Sequence, residues 1–344
     1  MTSSSASSRG RGLLHLAAAV DLPGVHDAGP QVELARLAER GGLDFVTLDD
    51  AFARPGLDAP AVLAQVAPAT HRVGLVPTLT ATHTEPFDVH ATIAALDRVS
   101  RGRAGWRIDV STTQARELVE VAAKSWDGRQ DDAGTREAPT GRFIDRDTPH
   151  RVDFTGSTFP APGPSIVPRP SQPSQGHPVR VVDATEGHAR STAARHADVA
   201  LVCATSSAQA RAVRDQLRSD AAGFGRDPDS LRVLASLLID LGDGEHAAEP
   251  GHGGGGPRPS VQGPLYRGGP VDLADLIGSW HQDGAVDGFH LTPVEPRRDL
   301  ERLVNGTVGL LQHRGLFRTF YPGSTLREHL GLTRPAHQYV GGAP

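Results

Sequence analysis

Strand-like and helix-like segments alternate along almost all of this 344-residue chain. That alternation limits what it can fold into more than any other feature. Short apolar runs predict strands over Leu13–Val20, Phe45–Leu48, Val73–Leu79, Ala104–Val110, Val179–Asp183, Val199–Cys203, Leu231–Asp240 and Gly288–Leu291. Helical spacing between them predicts helices over Val32–Arg40, Ala59–Ala67, Val89–Val99, Ala115–Ser125, Ala189–His196, Ala208–Ala222, Leu273–Gln282 and Leu300–Arg314. Leu34, Leu37 and Ala38 fall on one helical face, and so do Ile93, Leu96 and Val99. A strand, a helix and a second strand in one sheet read as a parallel pair, because parallel pairing needs a crossover. Eight such units close a cylinder, and the chain exceeds the ~250 residues that a barrel commonly takes. The predicted fold class is therefore α/β, a (β/α)8 TIM barrel. The rival, an open doubly wound sheet, would carry a glycine-rich nucleotide loop after its first strand. Asp21-Leu22-Pro23-Gly24 stands there instead.

Two stretches interrupt the alternation. Residues 127–178 are polar and proline-rich, too long for an ordinary connection, and read as an excursion over one barrel face before strand 5. Residues 242–263 contain GEHAAEPGHGGGGPRPS and read as a Gly/Pro-rich linker. The linker also spells G-x-G-x-x-G from Gly251 to Gly256. With no strand close before it and no helix start after it, it carries no dinucleotide signal. Residues 1–11 and 336–344 read as tails, which leaves 12–335 as one barrel domain.

Several function classes find no support. The formal charge of −5 gives no reason to expect nucleic acid. No apolar run approaches the ~20 residues of a membrane span. The run from Leu13 to Val20, behind Arg9 and Arg11, mimics a signal peptide faintly, but His15 interrupts it and a first strand accounts for it. A cytoplasmic protein is the expectation. Cys203 is the only cysteine, so there is no internal disulfide, and its apolar surroundings predict a buried strand residue rather than a reactive thiol. There is no Walker lysine and no G-x-S-x-G elbow. The sixteen histidines form no convincing ligand set, and His188 and His196 read as helix-end residues, so no metal site is predicted.

One part of the chain is more specific. Between His71 and Ser111 it carries Glu85-Pro86-Phe87 after the third strand, Leu96-Asp97 in the next helix, and Ser100-x-Gly102-Arg103-x-Gly105-Trp106 entering the fourth strand. LARLAERGGLDFVTLDD leads through the second strand to Asp50. GRFIDRDTPHRVDFTGSTFPAPGPSIVPRPSQPSQGHPV precedes the fifth strand, followed by ARHADVAL, DGFHLTP and Gln312-x-Arg314-Gly315-Leu316-Phe317-Arg318. Over most of residues 30–335 this resembles the bacterial luciferase-like flavin monooxygenases, in the branch of nitrilotriacetate monooxygenase and pristinamycin synthase.

The resemblance implies a barrel that binds reduced FMN at the C-terminal ends of its strands. The flavin takes up O2 and passes one oxygen atom to a small organic substrate. NAD(P)H enters only through a partner NAD(P)H:flavin reductase, and the protein is expected to be a homodimer. Residue by residue, Asp50 matches an acidic residue near the flavin ring, and Thr80 and Thr82 match hydroxyl residues under it. Trp106 and Ser111 match residues of the fourth strand, with a barrel-core aromatic as the plainer role for Trp106. Arg107 stands where the family has Asn, and the stretch after Ser111 that carries the family's His and Tyr has no counterpart. At the fifth-strand turn, the family's phosphate-cradling Gly-x-Ser-x-x-Gly aligns with Ala184, Thr185, Glu186 and Ala189. A carboxylate in that nest repels a phosphate, so Glu186 is expected to turn outward, toward an arginine such as Arg190, if FMN is the ligand. Two other readings stay open: a non-catalytic homologue or partner subunit that has lost flavin, and a deazaflavin-dependent oxidoreductase.

Overall fold

A computed structural model describes residues 12–22, 27–49, 58–79, 86–108, 175–242 and 256–335. The predicted helix Ala115–Ser125 and most of the excursion lie outside them. The eight barrel strands are short and mostly apolar, as parallel strands buried on both faces are, and two further short strands form a hairpin. They are β1 (His15–Ala19), β2 (Phe45–Leu48), β3 (Gly74–Leu79), β4 (Gly105–Ile108), β5 (Val179–Asp183), β6 (Val199–Cys203), β7 (Arg232–Asp240), β8 (Arg258–Ser260), β9 (Gly263–Arg267) and β10 (Gly288–Pro293). β1 to β7 pair in sequence order; β10 pairs with β7 on one side and β1 on the other, all in parallel, so the sheet closes on itself.

Helices cover the outside: α1 (Gly29–Arg40), α2 (Ala59–Val66), α3 (Pro86–Ser100), α4 (Gly187–His196), α5 (Ser207–Gly223), α6 (Pro270–Gln282) and α7 (Pro296–Arg302). Proline in the first turn of α1, α2, α6 and α7 fits an orphan N–H position. Asp58 and Ser206 cap α2 and α5 through their side chains. The predicted helix Leu300–Arg314 starts earlier and is interrupted: a π-helical stretch Leu303–Val308 separates α7 from α8 (Gly309–His313). β8 and β9 form an antiparallel hairpin, and β9 lies parallel to the C-terminal end of β7, with Leu238 opposite Leu265. This hairpin begins inside the stretch read as a linker, a register that its proline- and glycine-rich composition hides.

Period-two alternation sorts each strand into an inner and an outer face. Ala17, Phe45, Val76, Val179, Val181, Val199, Leu201 and Leu234 point inward and pack with Leu326, Leu330 and Leu332. Leu326 opens a short C-terminal helix α9 (Leu326–His329), held by a capping box between Thr325 and Glu328. The N-terminal mouth is thus stoppered by the chain's own C-terminal segment. Glycine makes room for the stopper: a Cβ at Gly74 would lie 2.6 Å from Leu326 Cδ1.

Buried ion pairs fasten the stopper. Arg318 Nη1 donates to Asp44 Oδ1 at 2.7 Å, and its Nη2 donates to the Gly42 carbonyl at 2.7 Å. Arg327 Nη2 donates to Asp198 Oδ1 at 2.9 Å, while Arg180 Nε reaches Asp198 Oδ2 at 3.2 Å. Gln312 Nε2 donates to the Arg318 carbonyl at 2.9 Å, and Gly315 takes φ of +67° at the turn between them. Arg103 fans out to the carbonyls of Ala67, Thr70, Val73 and Ser100. Of the motifs that carried the resemblance, Arg103 and Gln312 to Arg318 are therefore N-terminal-face scaffolding, while LDFVTLDD and DGFHLTP run through β2 and β10 to the opposite end. No helix among the described residues is long and apolar enough to cross a membrane.

Candidate active site

The opposite, C-terminal end of the barrel carries a cavity among the described residues. The same inward alternation brings Thr47, Arg107, Cys203, Ser236 and His290 to the top of the interior, and Asp21 and Asp49 follow β1 and β2. Together they line a cavity of about 210 Å³. The β8–β9 hairpin leans over its β6 side: Gly263, at φ of +127°, would place a Cβ 3.4 Å from Leu238 Cδ1 and 3.9 Å from Cys203 Sγ.

The cavity is polar by construction. Thr78 Oγ1 donates to Asp49 Oδ1 at 2.7 Å, and Arg107 Nη2 donates to the same oxygen. The Asp49 backbone N–H donates to Asp21 Oδ1 at 2.7 Å. Burial and the neighbouring Asp49 carboxylate push the Asp21 carboxyl up to about 6, beyond what the Asp49 N–H and Arg107 offset. Burial works against ionisation of Asp49 too, but the Arg107 guanidinium and the Thr78 hydroxyl outweigh it and hold that carboxyl below the ordinary range. Two carboxyls in one mouth are thus split into one that exchanges a proton near pH 6 and a fixed anion.

His290 forms the floor. It is 2% exposed, with Nε2 2.8 Å from Thr47 Oγ1 and Nδ1 3.4 Å from Ser236 Oγ. Burial, helped by the Arg107 charge, lowers its pKa to about 3, so the imidazole is neutral and serves as a hydrogen-bonding base plate. Cys203 was expected to be a buried strand residue; its side chain instead lines the cavity, half-buried. Burial raises its thiol, so it is not a ready thiolate.

Of the predicted residues, Arg107 lies in this cavity, while Thr185 and Glu186 at the fifth-strand turn do not line it. Trp106, one residue from Arg107, points the other way, into the layer between strands and helices with Leu79, Ile93, Val182 and Ala193. Asp50, Thr80, Thr82 and Ser111 lie outside the described residues. Asp21, Asp49, Thr47 and His290 were not singled out from sequence. A strict period-two count through Phe45 and Thr47 would have selected Asp49, and one through Gly288 would have selected His290.

At the fifth-strand turn Glu186 turns outward as expected, but to a different partner. Glu186 occupies the N-cap position of α4 and makes no side-chain cap hydrogen bond. Its carboxylate is 70% exposed and turns to His188 Nε2 at 3.3 Å, not to Arg190. Arg190 faces the carbonyl side of the turn, donating to Ala184 and Thr185 oxygens at 3.3 and 3.4 Å and to Gln216 at 3.2 Å. The Thr185 N–H donates to Asp183 Oδ1 at 3.0 Å, and the Thr185 hydroxyl is within hydrogen-bond reach of the Cys203 thiol.

Comparison with known proteins agrees with this architecture. Residues 6–269 match the family described as luciferase-like monooxygenase. N-acetyl-S-(2-succino)cysteine monooxygenase of Bacillus subtilis (strain 168) is 28% identical, with 90% of each chain covered. That alignment runs over 402 positions, more than this chain's 344 residues, so internal segments of the relative have no counterpart here. Nitrilotriacetate monooxygenase component A of Aminobacter aminovorans is 28% identical over 88% of this chain and 89% of its own. Among solved structures, a long-chain alkane monooxygenase superposes with a TM-score of 0.78 at 19% identity, covering 97% of this chain and 98% of that one. With the closed barrel, its stoppered N-terminal face and its polar C-terminal mouth, the family match establishes that this chain belongs to the luciferase-like monooxygenases.

Proposed function

We propose that the chain is a flavin-dependent monooxygenase of the two-component kind, acting on a small organic substrate at the C-terminal mouth of its barrel. The convergence of Asp21, Asp49, Arg107 and His290 on one cavity carries this reading. Barrel enzymes place their chemistry at this end, where the loops leave the strands. A flavin supplies, when bound and reduced, the reaction with O2 and the transfer of one oxygen atom. Because no dinucleotide fingerprint follows any strand, the reduced flavin comes from a separate NAD(P)H:flavin reductase.

The residues present fit the ring end of a flavin and not the phosphate of FMN. At the ring end, the Arg107 guanidinium offers N–H donors beyond the one spent on Asp49. Thr47, Ser236 and His290 supply a hydrogen-bonding floor. Asp21 exchanges a proton near pH 6 at the cavity wall, where it can be given up or taken back. Asp49 keeps Arg107 in place, and the hairpin around Gly263 narrows the water path beside Cys203. At the far end, the fifth-strand turn presents carboxylates where a phosphate would need donors.

The test uses purified protein with flavin, NADH and an unrelated flavin reductase. Oxygen uptake coupled to substrate oxidation should need the reductase, and the protein alone should leave NADH untouched. Direct oxidation of NADH by the pure chain would contradict the two-component reading. Failure of every flavin to bind, oxidised or reduced, would instead favour a non-catalytic homologue. The observation on that side is the Asp49–Arg107 pair, which occupies part of the mouth.

A further inference from the structure

We infer that this barrel selects a flavin without a phosphate: the tail that fits the fifth-strand turn is a neutral polyhydroxyl chain of the riboflavin type. The inference rests on the flavin reading of the mouth.

The turn between β5 and α4 could hold an anion through three local donors: the first is committed, the second lies beside a neutral thiol, and the third is replaced by a carboxylate. The Thr185 N–H is bonded to Asp183 Oδ1 at 3.0 Å. The Thr185 hydroxyl sits against the Cys203 thiol. The next residue offers a carboxylate, Glu186, in place of a hydroxyl. What remains are the first-turn N–H groups of α4, which carry about half a positive charge at the helix end. Asp183 and Glu186 set two full negative charges against that half charge. A phosphate brings close to two more. Arg190 offsets part of this charge, but its N–H donors are spent on the neutral Ala184 and Thr185 carbonyls and on Gln216, and one cation leaves the two carboxylates and a dianion in excess. His188 is the group paired with Glu186, and it lies 40% exposed. Nearer the ring end, Asp21 and Asp49 stand against the single cation Arg107 among the cavity-lining residues described. The field from turn to cavity is thus unfavourable to a dianion.

The same groups suit hydroxyls. A sugar-alcohol O–H donates to a carboxylate in a charge-assisted hydrogen bond, and its oxygen accepts from a helix-end N–H. Gly187 leaves the approach open, since a Cβ there would meet nothing within 4 Å. Asp183 and Glu186 therefore serve as recognition groups for the polyol.

The experiment compares riboflavin and FMN on the full chain by isothermal titration calorimetry and flavin fluorescence, with oxidised and dithionite-reduced ligand. Riboflavin should bind at least tenfold tighter than FMN, and the gap should narrow as ionic strength rises. In the double variant Asp183→Asn, Glu186→Ser, FMN affinity should rise at least tenfold while riboflavin affinity stays level or falls. Asp183→Asn keeps an acceptor for the Thr185 N–H, and circular dichroism confirms that the variant is folded. FMN binding as tightly as riboflavin, or tighter, in the unaltered chain would overturn the inference and leave the monooxygenase reading standing. No binding of either ligand would overturn both.

Discussion

Asp44 and Asp21 show how position decides what one residue type does. Asp44 is fully buried; burial opposes its charge, but Arg318 and His15 outweigh that and hold its carboxyl below the ordinary range. A carboxyl lowered on folding contributes stability above its unfolded pKa of about 3.9 and loses it as pH falls below that value. Arg318→Met removes the strongest partner and leaves a buried carboxylate. We expect a loss of about 3–5 kcal/mol, read as a lower urea midpoint at pH 7. A shift under about 1 kcal/mol would mean that Asp44 is held by His15 and the Leu16 N–H alone. Asp21 runs the other way. Its carboxyl is raised to about 6, so between pH ~4 and ~6 the folded chain keeps a proton that the unfolded chain has released, and stability falls as pH rises through that window. At about 1.4 kcal/mol per unit, the effect is on the order of 1–3 kcal/mol. Asp21→Asn should flatten this slope in urea titrations at pH 4.5, 5.5 and 7, while an unchanged slope would place the proton elsewhere. Neither behaviour is legible from sequence, where both are single aspartates beside an apolar run.

The elements were largely legible, and their ends and contents explain where they were not. Seven of the eight barrel strands overlap their predicted ranges to within two residues at each end, because a strand buried on both faces reads as an uninterrupted apolar run; β4 is described only to Ile108. The β8–β9 hairpin was missed because Arg258-Pro259-Ser260 has no apolar alternation, and its three residues are all exposed. Helix α9 was missed for the opposite reason: four residues are too few for a period to show, and packing inside the barrel makes it a helix. That packing is testable as a pair. Leu326→Ala should leave a cavity at the stopper and cost about 3 kcal/mol. Gly74→Ala should be destabilising alone, since its Cβ would lie 2.6 Å from Leu326 Cδ1 and 2.8 Å from Phe45 Cβ. Combined, the two should cost less than their sum by at least about 0.5 kcal/mol in thermal or urea melts. Strict additivity would show that Leu326 does not press on Gly74.

At the scale of the whole molecule, the two ends of the barrel carry different burdens. The N-terminal mouth holds the stopper and its buried charges, and the C-terminal mouth holds the candidate chemistry. A chain ending at Arg314 would keep every barrel strand yet lose Arg318, Leu326 and Arg327, leaving Asp44 and Asp198 short of their cations. We expect it to lack a cooperative thermal transition by circular dichroism and to be cut rapidly by trypsin; a sharp melt close to that of the full chain would show that the barrel stands without its stopper. The sequence by itself determined the closed barrel, because eight apolar strands separated by crossover helices have few other ways to bury both faces. It also carried the family likeness, through local motifs such as Gln312 to Arg318 that survive as consecutive letters. What it did not determine is which residues meet. Asp49 and Arg107 are 58 positions apart, and Thr47 and His290 are 243 apart. Only the closure of the sheet, and the parity with which each strand enters it, set these side chains on one inner surface and turned Trp106 to the other. A one-residue change of register reverses every inward and outward assignment, and no local pattern records that choice when both faces of a strand are apolar.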